Sequence, residues 1–210
     1  MTYLGLVPVH EVRTHLRGPD NPDNRHREVM ALFGTIDSET PREAKGILFR
    51  LDTIPGQAPT YLIRSETPIE VATPGAHSKE EPEDVPSSGT TIQFRIAVNG
   101  IQRTNRSTAK PTRLDDQPPV DENDRTITIS EWLKQRLAGA LKDIHINNHV
   151  REVLGVDRRG RRTGNGKVIQ IDTIDGVAIV DDETILKEKL VKGVGRAKSY
   201  GCGLLTVRAI

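Results

Sequence analysis

A polar segment near the middle of the chain places the strongest constraint on the fold. Residues 73–89 (TPGAHSKEEPEDVPSSG) are rich in Pro, Gly, Ser and acidic residues, a composition typical of linkers. The segment divides 210 residues into two parts, each long enough for one small domain. Because aromatic residues make up only 3% of the chain, each core must be built from Val, Ile and Leu. We therefore predict domains at residues 1–75 and 90–210, with a linker at 76–89.

The part before the linker shows a β-α-β-β pattern. Strands are predicted at residues 3–9, 47–52 and 60–65, and a helix at residues 24–34. Asp23 is the candidate N-cap of this helix and Gly34 supplies its stop signal. The pattern is the first half of a ferredoxin-like unit.

The part after the linker repeats this pattern. Strands are predicted at residues 91–99, 169–179 and 204–210, and helices at residues 132–141 and 181–192. The sequence therefore predicts an α+β fold with two ferredoxin-like (RRM-like) βαββαβ domains in tandem.

The net charge of +1 conceals an uneven distribution of charge. Residues 78–86 and 114–124 are acidic, whereas residues 101–113, 151–167 and 187–210 are basic. Acidic loops thus cancel a cationic surface in the sum, and such a surface is typical of proteins that bind nucleic acid. The scarcity of aromatic residues argues against recognition of single strands by base stacking.

Cysteine and histidine usage limits the possible chemistry. The single cysteine, Cys202, excludes an intramolecular disulfide and a cysteine-rich zinc site, and it favours a reducing cytoplasm. His145 and His149 have H-x-x-x-H spacing but lie in a strand-like stretch, where they would not face one metal. We expect no metal site and no cofactor. The N-terminus carries no signal-peptide pattern, and no apolar run is long enough to span a membrane.

A glycine-rich run near the C-terminus is the first candidate binding site. Residues 193–203 (GVGRAKSYGCG) contain Gly193, Gly195, Gly201 and Gly203, with Arg196 and Lys198 between them. Such a run can bring backbone N–H groups and cations close to a phosphate, or it can be a flexible connection. It matches neither the Walker nor the Rossmann phosphate-binding pattern.

A cluster of arginines is the second candidate. Arg158, Arg159, Arg161 and Arg162 surround Gly160, and a further group of turn residues precedes Lys167. The arginines can line a β-hairpin that enters a nucleic-acid groove, or they can lie on a solvated surface hairpin.

His26 is the third candidate, because its predicted position can keep it neutral. It falls between Arg25 and Arg27 in the first turn of the first predicted helix. A helix N-terminus and flanking arginines both disfavour the imidazolium, which helps a histidine to act as a base near pH 7. The alternative is a partly exposed helix histidine without a chemical role.

Several of these motifs resemble one known family, the CRISPR-associated endoribonuclease of type I-E Cascade (the CasE family of the RAMP superfamily). The segment GVGRAKSYGCGLLTV resembles the glycine-rich signature of that family. His26 followed by Leu32-Phe33, the segment FRIAVNGIQRT and the segment GKVIQIDTIDG are also similar and occur in the same order. The resemblance spans nearly the whole chain.

The resemblance implies two ferredoxin-like domains and a metal-independent cut within the stem-loop repeat of the CRISPR precursor RNA. It implies that a 2′-hydroxyl attacks the adjacent phosphate, which leaves a 2′,3′-cyclic phosphate and a 5′-hydroxyl. The catalytic histidine of the family falls on His26, as general base or general acid. The resemblance further implies that the protein stays on the stem-loop of the mature crRNA and joins other Cascade subunits.

One position departs from the family pattern. Family members carry a tyrosine three residues before the histidine, whereas this chain has Asp23. A Tyr–His acid–base pair therefore does not carry over, and Arg27 becomes the candidate for stabilising the phosphorane. Two alternatives to an endoribonuclease remain at this point. The first is a non-catalytic RNA-binding subunit, and the second is a phosphate-handling enzyme that uses the glycine run.

Overall fold

The computed structural model describes residues 1–12, 21–81, 84–103, 109–156, 160–162 and 167–210. These residues form two four-stranded antiparallel sheets and one small two-stranded sheet. Within this part of the chain, no helix has the length and apolar character that a membrane crossing needs.

The first sheet contains the strands of the N-terminal half. Its strands are β1 (Thr2–Pro8), β2 (Leu48–Asp52), β3 (Thr60–Ser65) and β4 (His77–Glu81), and the helices of this half are α1 (Val9–Val12), α2 (Pro22–Ala31) and α3 (Pro41–Ala44). The spatial order is β2-β3-β1-β4, as in a ferredoxin-like sheet. Residues 66–76, all of which are described, contain no helix, so the second helix of the motif is missing from this half.

The second sheet completes a ferredoxin-like unit in the C-terminal half. The half consists of β5 (Thr91–Val98), the side hairpin β6 (Ile101–Arg103) and β7 (Ala109–Pro111), α4 (Ile129–Leu137), β8 (Leu141–Leu154), β9 (Ile169–Val180), α5 (Glu183–Lys192), a 3-10 turn (Lys198–Tyr200) and β10 (Leu205–Ala209). The spatial order β10-β5-β9-β8 matches that of the first sheet. The predicted α+β class with tandem ferredoxin-like domains is confirmed.

Aliphatic side chains make up most of both cores, but aromatic rings also contribute to each core. One core lies between the first sheet and α2, where Val29 and Phe33 pack on Phe49 and Ile63. The larger core lies between the second sheet and α4 and α5, and it includes Trp132.

Polar side chains at the N-termini define where the longer helices begin. Asn21 caps α2, because its side chain accepts a hydrogen bond of 3.0 Å from the N–H of Asp23. The prediction of Asp23 as the N-cap was therefore wrong by two residues. Thr128 and Glu131 form a capping box on α4, which ends at Leu137. The helix predicted at residues 132–141 extends too far at its C-terminal end, since Leu141 already belongs to β8.

Part of the predicted linker belongs to the first sheet. Residues 77–81 form β4 and pair with β1 from Thr2 to Leu6. The strand is polar and lies at the sheet edge, so its sequence resembles a linker. The ordered first domain therefore extends beyond the predicted boundary at residue 75.

Buried polar contacts join the two halves. The Arg50 side chain on β2 is 3% exposed. It donates hydrogen bonds to the carbonyls of Arg95 on β5 (3.0 Å) and Leu204 (3.3 Å). Leu204 also packs with Leu48 and Leu62 of the first sheet. These contacts fix the orientation of the first sheet against the second.

Candidate active site

His26 lies where helix α2 contacts the C-terminal half. The helix begins at Pro22, so His26 is one residue beyond the first turn in which the sequence placed it. Its side chain is half-buried and faces the region of Ser199, in the 3-10 turn. The neighbours Arg25, Glu28 and Val29 are buried, which holds this part of the helix firmly against the protein.

The surroundings of His26 favour its neutral form. Burial lowers the pKa of His26 below its usual value, and the charge of Arg42 lowers it further. Asp23 and the backbone of Ser199 oppose this shift, but they do not reverse it. Among the described residues, Nδ1 of His26 is buried and has no hydrogen-bond partner of normal geometry. A neutral imidazole can accept or pass on a proton.

Two cations lie close enough to act on His26. The first is Arg42 on α3, whose guanidinium is half-buried and donates a 2.7 Å hydrogen bond to the carbonyl of Ile47. The second is Lys167, just before β9, whose charge also lowers the pKa of His26. Sequence analysis missed Arg42, because nothing in the sequence places residues 26 and 42 together.

Tyr200 anchors the Lys167 side chain. The Nζ of Lys167 donates a 2.5 Å hydrogen bond to the hydroxyl of Tyr200, and it lies 5.2 Å from the centroid of the ring. This contact raises the pKa of Lys167. Tyr200 belongs to the same 3-10 turn as Ser199, so the turn brings a tyrosine and a lysine towards His26. Sequence analysis did not single out Tyr200, although it lies inside the glycine-rich run.

Arg27 is adjacent to His26 in helix α2, as the sequence requires, but points in another direction. Successive residues of an α-helix are 100° apart around its axis, and the Arg27 side chain is exposed. Its charge is not among those that shift the pKa of His26. Of the described cations, Arg42 and Lys167 are therefore better placed than Arg27 to act at His26.

The glycine segment, residues 193–203, is folded back on the protein. The four glycines Gly193, Gly195, Gly201 and Gly203 have φ values between 70° and 93°, the left-handed region that favours glycine. Three of their N–H groups donate to protein carbonyls. These bonds run from Gly193 to Lys189 (2.9 Å), from Gly201 to Lys198 (3.4 Å) and from Gly203 to Ala97 (2.7 Å).

These bonds correct part of the prediction for the glycine segment. A phosphate cradle needs N–H groups that point at the ligand, and those of Gly193, Gly201 and Gly203 are already used inside the protein. These three glycines instead shape the turn that faces His26. The Nζ of Lys198 donates to the carbonyl of Lys192 at 2.6 Å, at the end of α5. Arg196 is exposed, and its role in binding stays a prediction.

The arginine cluster is described only in part. Arg161 and Arg162 are exposed, and Arg162 forms an isolated antiparallel bridge with Val156, as expected for a hairpin. Arg158 and Arg159 lie outside the described residues, so their predicted role stays a prediction.

The surroundings of Cys202 and His149 indicate a structural role for these two residues. Cys202 is fully buried, and burial raises the pKa of its thiol, which keeps it protonated. His149 contacts the buried carboxylate of Asp172 at 2.8 Å, in the core of the second half. Within the described residues, no group of three or more His, Cys, Asp or Glu side chains is arranged to hold a metal ion.

Comparisons with known proteins identify the family of this chain. The family model described as "CRISPR associated protein" matches residues 2–209. The CRISPR system Cascade subunit CasE of Escherichia coli strain K12 is 26% identical over 197 residues, covering 87% of this chain and 89% of that protein.

Two solved structures are similar over almost their whole length. Cse3 of Thermus thermophilus, bound to an RNA representing a pre-cleavage complex, has a TM-score of 0.66 at 18% identity and covers 99% of this chain and 98% of that one. Cas6e of E. coli K-12 has a TM-score of 0.61 at 21% identity and covers both chains completely. At these identities the likeness shows a shared fold. Because the family model spans nearly every residue, the chain belongs to the CRISPR-associated protein family and is similar to CasE, as its glycine-rich signature predicted.

Proposed function

We propose that this protein is an endoribonuclease that cuts CRISPR precursor RNA within the repeat stem-loop and remains bound to the crRNA as a Cascade subunit. The observation that carries the proposal is the position of His26. It is half-buried, its pKa is lowered, and it lies near two cations at the junction of two ferredoxin-like units. The names of the relatives support the same substrate class, since CasE is a Cascade subunit and Cse3 is an RNA-bound endoribonuclease.

The chemistry requires only an acid–base group and cations. The neutral imidazole of His26 takes the proton of the 2′-hydroxyl upstream of the cut, and the resulting oxygen bonds to the adjacent phosphorus. The bond from phosphorus to the 5′-oxygen then breaks. The leaving oxygen takes up a proton from water, and the imidazolium of His26 returns its proton to the solvent, which leaves a 5′-hydroxyl beside a 2′,3′-cyclic phosphate. No water is consumed, and no metal ion is needed to balance the reaction. The lowered pKa of His26 supports the role of general base.

The phosphorane intermediate carries additional negative charge, which nearby cations stabilise. Arg42 and Lys167 supply this charge, because both already act electrostatically on His26. Tyr200 keeps Lys167 in place through its hydroxyl. Arg27 is exposed, and we assign it to a phosphate contact beside the cut.

The arginine cluster supplies affinity for the stem. In this proposal the exposed Arg161 and Arg162, together with Arg158 and Arg159 beside them in the sequence, contact phosphates across the groove of an A-form stem or near its end, where the deep major groove opens. Arg196 extends the basic surface along the glycine segment. Since phosphate contacts release counterions, each one contributes to the salt dependence of binding.

A cleavage assay with two RNAs tests the proposal. The protein is incubated in EDTA with a labelled repeat RNA and with an analogue that lacks the 2′-hydroxyl at the cut. We expect cleavage of the first RNA only, with a cyclic phosphate on the upstream product. Cleavage of both RNAs, or of the first only after Mg²⁺ is added, would contradict the mechanism.

A matched pair of histidine variants tests the role of His26. His26→Ala is expected to abolish cleavage and to change RNA affinity by less than about two-fold. His10→Ala is the control, because the His10 side chain is 63% exposed and lies on α1. Binding without cleavage by the unaltered protein would instead favour a non-catalytic RNA-binding subunit.

A further inference from the structure

A basic cavity of about 620 Å³ lies beside the glycine segment. It is bounded by the start of the side hairpin (Gln102 and Arg103), by helix α4 (Gln135 and Arg136), and by Arg196. This volume falls within the range of pockets that bind small organic ligands. None of the candidate residues at His26 lines it, so it is a separate site on the second half of the molecule.

The charge of this cavity is uncompensated within the described residues. Arg103, Arg136 and Arg196 all line it and are exposed. No carboxylate from the described part of the chain lines the cavity, and none forms an ion pair with these three arginines. Three guanidinium groups around one cavity attract an anion, and their planar donors match the oxygens of a phosphate.

The cavity also contains a flat surface and groups that can read a base. The guanidinium of Arg136 lies 5.2 Å from the centroid of the Trp132 ring, which orients it while its N–H edges stay available. The ring itself is 3% exposed, and its Nε1 donates to the carbonyl of Ile101 at 3.3 Å. A base can stack on a guanidinium plane of this kind, and the Gln135 amide can bond to a base edge.

The glycine segment connects the cavity to the region of His26. Arg196 lines the cavity, and Ser199 lies against His26 three residues later. Three Cα–Cα steps span at most about 11 Å, so the backbone that borders the cavity lies within that distance of the backbone beside His26. This continuity with an RNA site favours RNA over an acidic protein segment as the occupant.

We propose that this cavity binds an unpaired nucleotide of the substrate RNA, next to the scissile phosphate, through its phosphate and its base. The proposal rests on the proposed function and adds a second contact region for single-stranded RNA. Arg103 and Arg136 become RNA-binding residues that the sequence did not single out. Arg196, which the sequence did single out, is assigned to this cavity.

Binding measurements with three RNAs test this site. The RNAs are a repeat hairpin alone, the hairpin with an unpaired 3′ segment, and the hairpin with an unpaired 5′ segment, each with a 2′-deoxy residue at the cut to prevent cleavage. Arg103→Ala and Arg136→Ala are each expected to weaken binding of one flanked RNA about five-fold. Affinity for the bare hairpin should change less than two-fold. The salt slope for the flanked RNA should fall by about 0.7 for each lost phosphate contact.

Lys134→Ala is the matched control. Lys134 is exposed on the same helix, two residues before Arg136, and does not line the cavity. It is expected to bind all three RNAs as the unaltered protein does. Equal losses for the bare and flanked hairpins, or no loss for either, would overturn the proposal. Unchanged RNA binding with loss of assembly onto other Cascade subunits would also overturn it, and would make the cavity a protein-docking surface.

These outcomes are distinct from a failure of the proposed function. If the unaltered protein does not cleave an unmodified repeat RNA, the endoribonuclease proposal fails whatever the arginine variants do. If it cleaves that RNA while the flanked and bare hairpins respond alike, only the cavity proposal fails.

Discussion

Arg25 and Glu152 form a two-point ion pair that joins helix α2 to strand β8. The Nη1 and Nη2 of Arg25 each donate to one carboxylate oxygen of Glu152, and both distances are 3.0 Å. The Arg25 side chain is 3% exposed and that of Glu152 is 41% exposed. Since His26 follows Arg25 directly, this pair holds the candidate catalytic residue against the second half.

Replacement of Glu152 tests this connection. Glu152→Ala removes two charge-assisted hydrogen bonds, and we expect the free energy of unfolding to fall by about 1–3 kcal/mol. Cleavage in single-turnover assays should fall about ten-fold, because small displacements of a catalytic group are costly. Urea denaturation and cleavage rates measure the two effects.

The control for this variant is Glu188→Ala. Glu188 pairs with Lys192 on the surface of α5, where the two side chains are 59% and 71% exposed. Such a pair contributes less than about 1 kcal/mol. Equal effects of the two replacements would show that the Arg25–Glu152 pair has no special role.

The pH dependence of cleavage should report the environment of His26. Burial and the charge of Arg42 lower the pKa of His26, so the neutral base persists below pH 6.5. The cleavage rate is expected to fall on the acid side only as the pH drops through this lowered pKa. Arg42→Gln removes a positive charge, which raises the pKa of His26 and moves the acid limb to higher pH.

Single-turnover rates from pH 4.5 to pH 8 measure this shift. Arg208→Gln serves as the control, because Arg208 is exposed on β10 and its charge is not among those acting on His26. An acid limb that stays in place in Arg42→Gln, or moves to lower pH, contradicts the assignment of His26 as the base.

Tyr200 is expected to act as a positioning residue through Lys167. Tyr200→Phe keeps the ring but removes the oxygen that accepts the 2.5 Å hydrogen bond from Lys167. The maximal cleavage rate should fall about three- to ten-fold while RNA affinity changes little, because the freed ammonium no longer occupies one position. The acid limb should also move slightly to higher pH, since the charge of Lys167 lowers the pKa of His26.

The variant Lys167→Ala completes this test. If Tyr200 acts through Lys167, the Tyr200→Phe replacement should have no further effect on the cleavage rate of Lys167→Ala. Multiplicative losses in the double variant would show that the tyrosine has a separate role.

The sequence predicts those elements that depend on local patterns. The strand at residues 60–65 has its predicted bounds, and the strand predicted from alternation at residues 91–99 ends one residue earlier. The error at the start of α2 was avoidable, because Pro22 favours the first helical position and so points to Asn21 as the cap. The strand at residues 77–81 was not predictable in this way, since it has no apolar alternation and owes its conformation to pairing with β1.

The residues of the candidate site also differ in whether a local sequence pattern can reveal them. His26 is identifiable from the family motif, whereas Arg42 and Lys167 act on it only through tertiary packing. The spacing of the glycine segment is visible in the sequence and allows either a phosphate cradle or a flexible connection. The acceptor of the Gly203 N–H, the carbonyl of Ala97, lies more than one hundred residues away in the chain. A contact of that kind is decided by the fold and leaves no local signal.

The buried carboxylate of Asp172 should stabilise the second half of the protein in a pH-dependent way. Its side chain is fully buried and accepts hydrogen bonds from Arg151 (2.6 Å) and Gln170 (2.8 Å), and it contacts His149 at 2.8 Å. Burial alone would raise the pKa of Asp172, but the contacts with His149, Arg151 and Gln170 hold it below its ordinary value of 3.8. The stabilisation is therefore complete above about pH 5 and is lost as the pH falls below 3.8 towards the folded-state pKa.

Replacement of Asp172 by Asn measures this contribution. The neutral amide leaves Arg151 without its buried carboxylate, so we expect the free energy of unfolding at pH 7 to fall by about 3 kcal/mol. The difference from the unaltered protein should stay constant from pH 7 to pH 5 and shrink between pH 4 and pH 3 in urea denaturation. Asp181→Asn, which alters a pair with Lys142 that is about half exposed, should lower the stability by less than about 1 kcal/mol at every pH. A difference for Asp172→Asn that grows as the pH falls would contradict the lowered pKa.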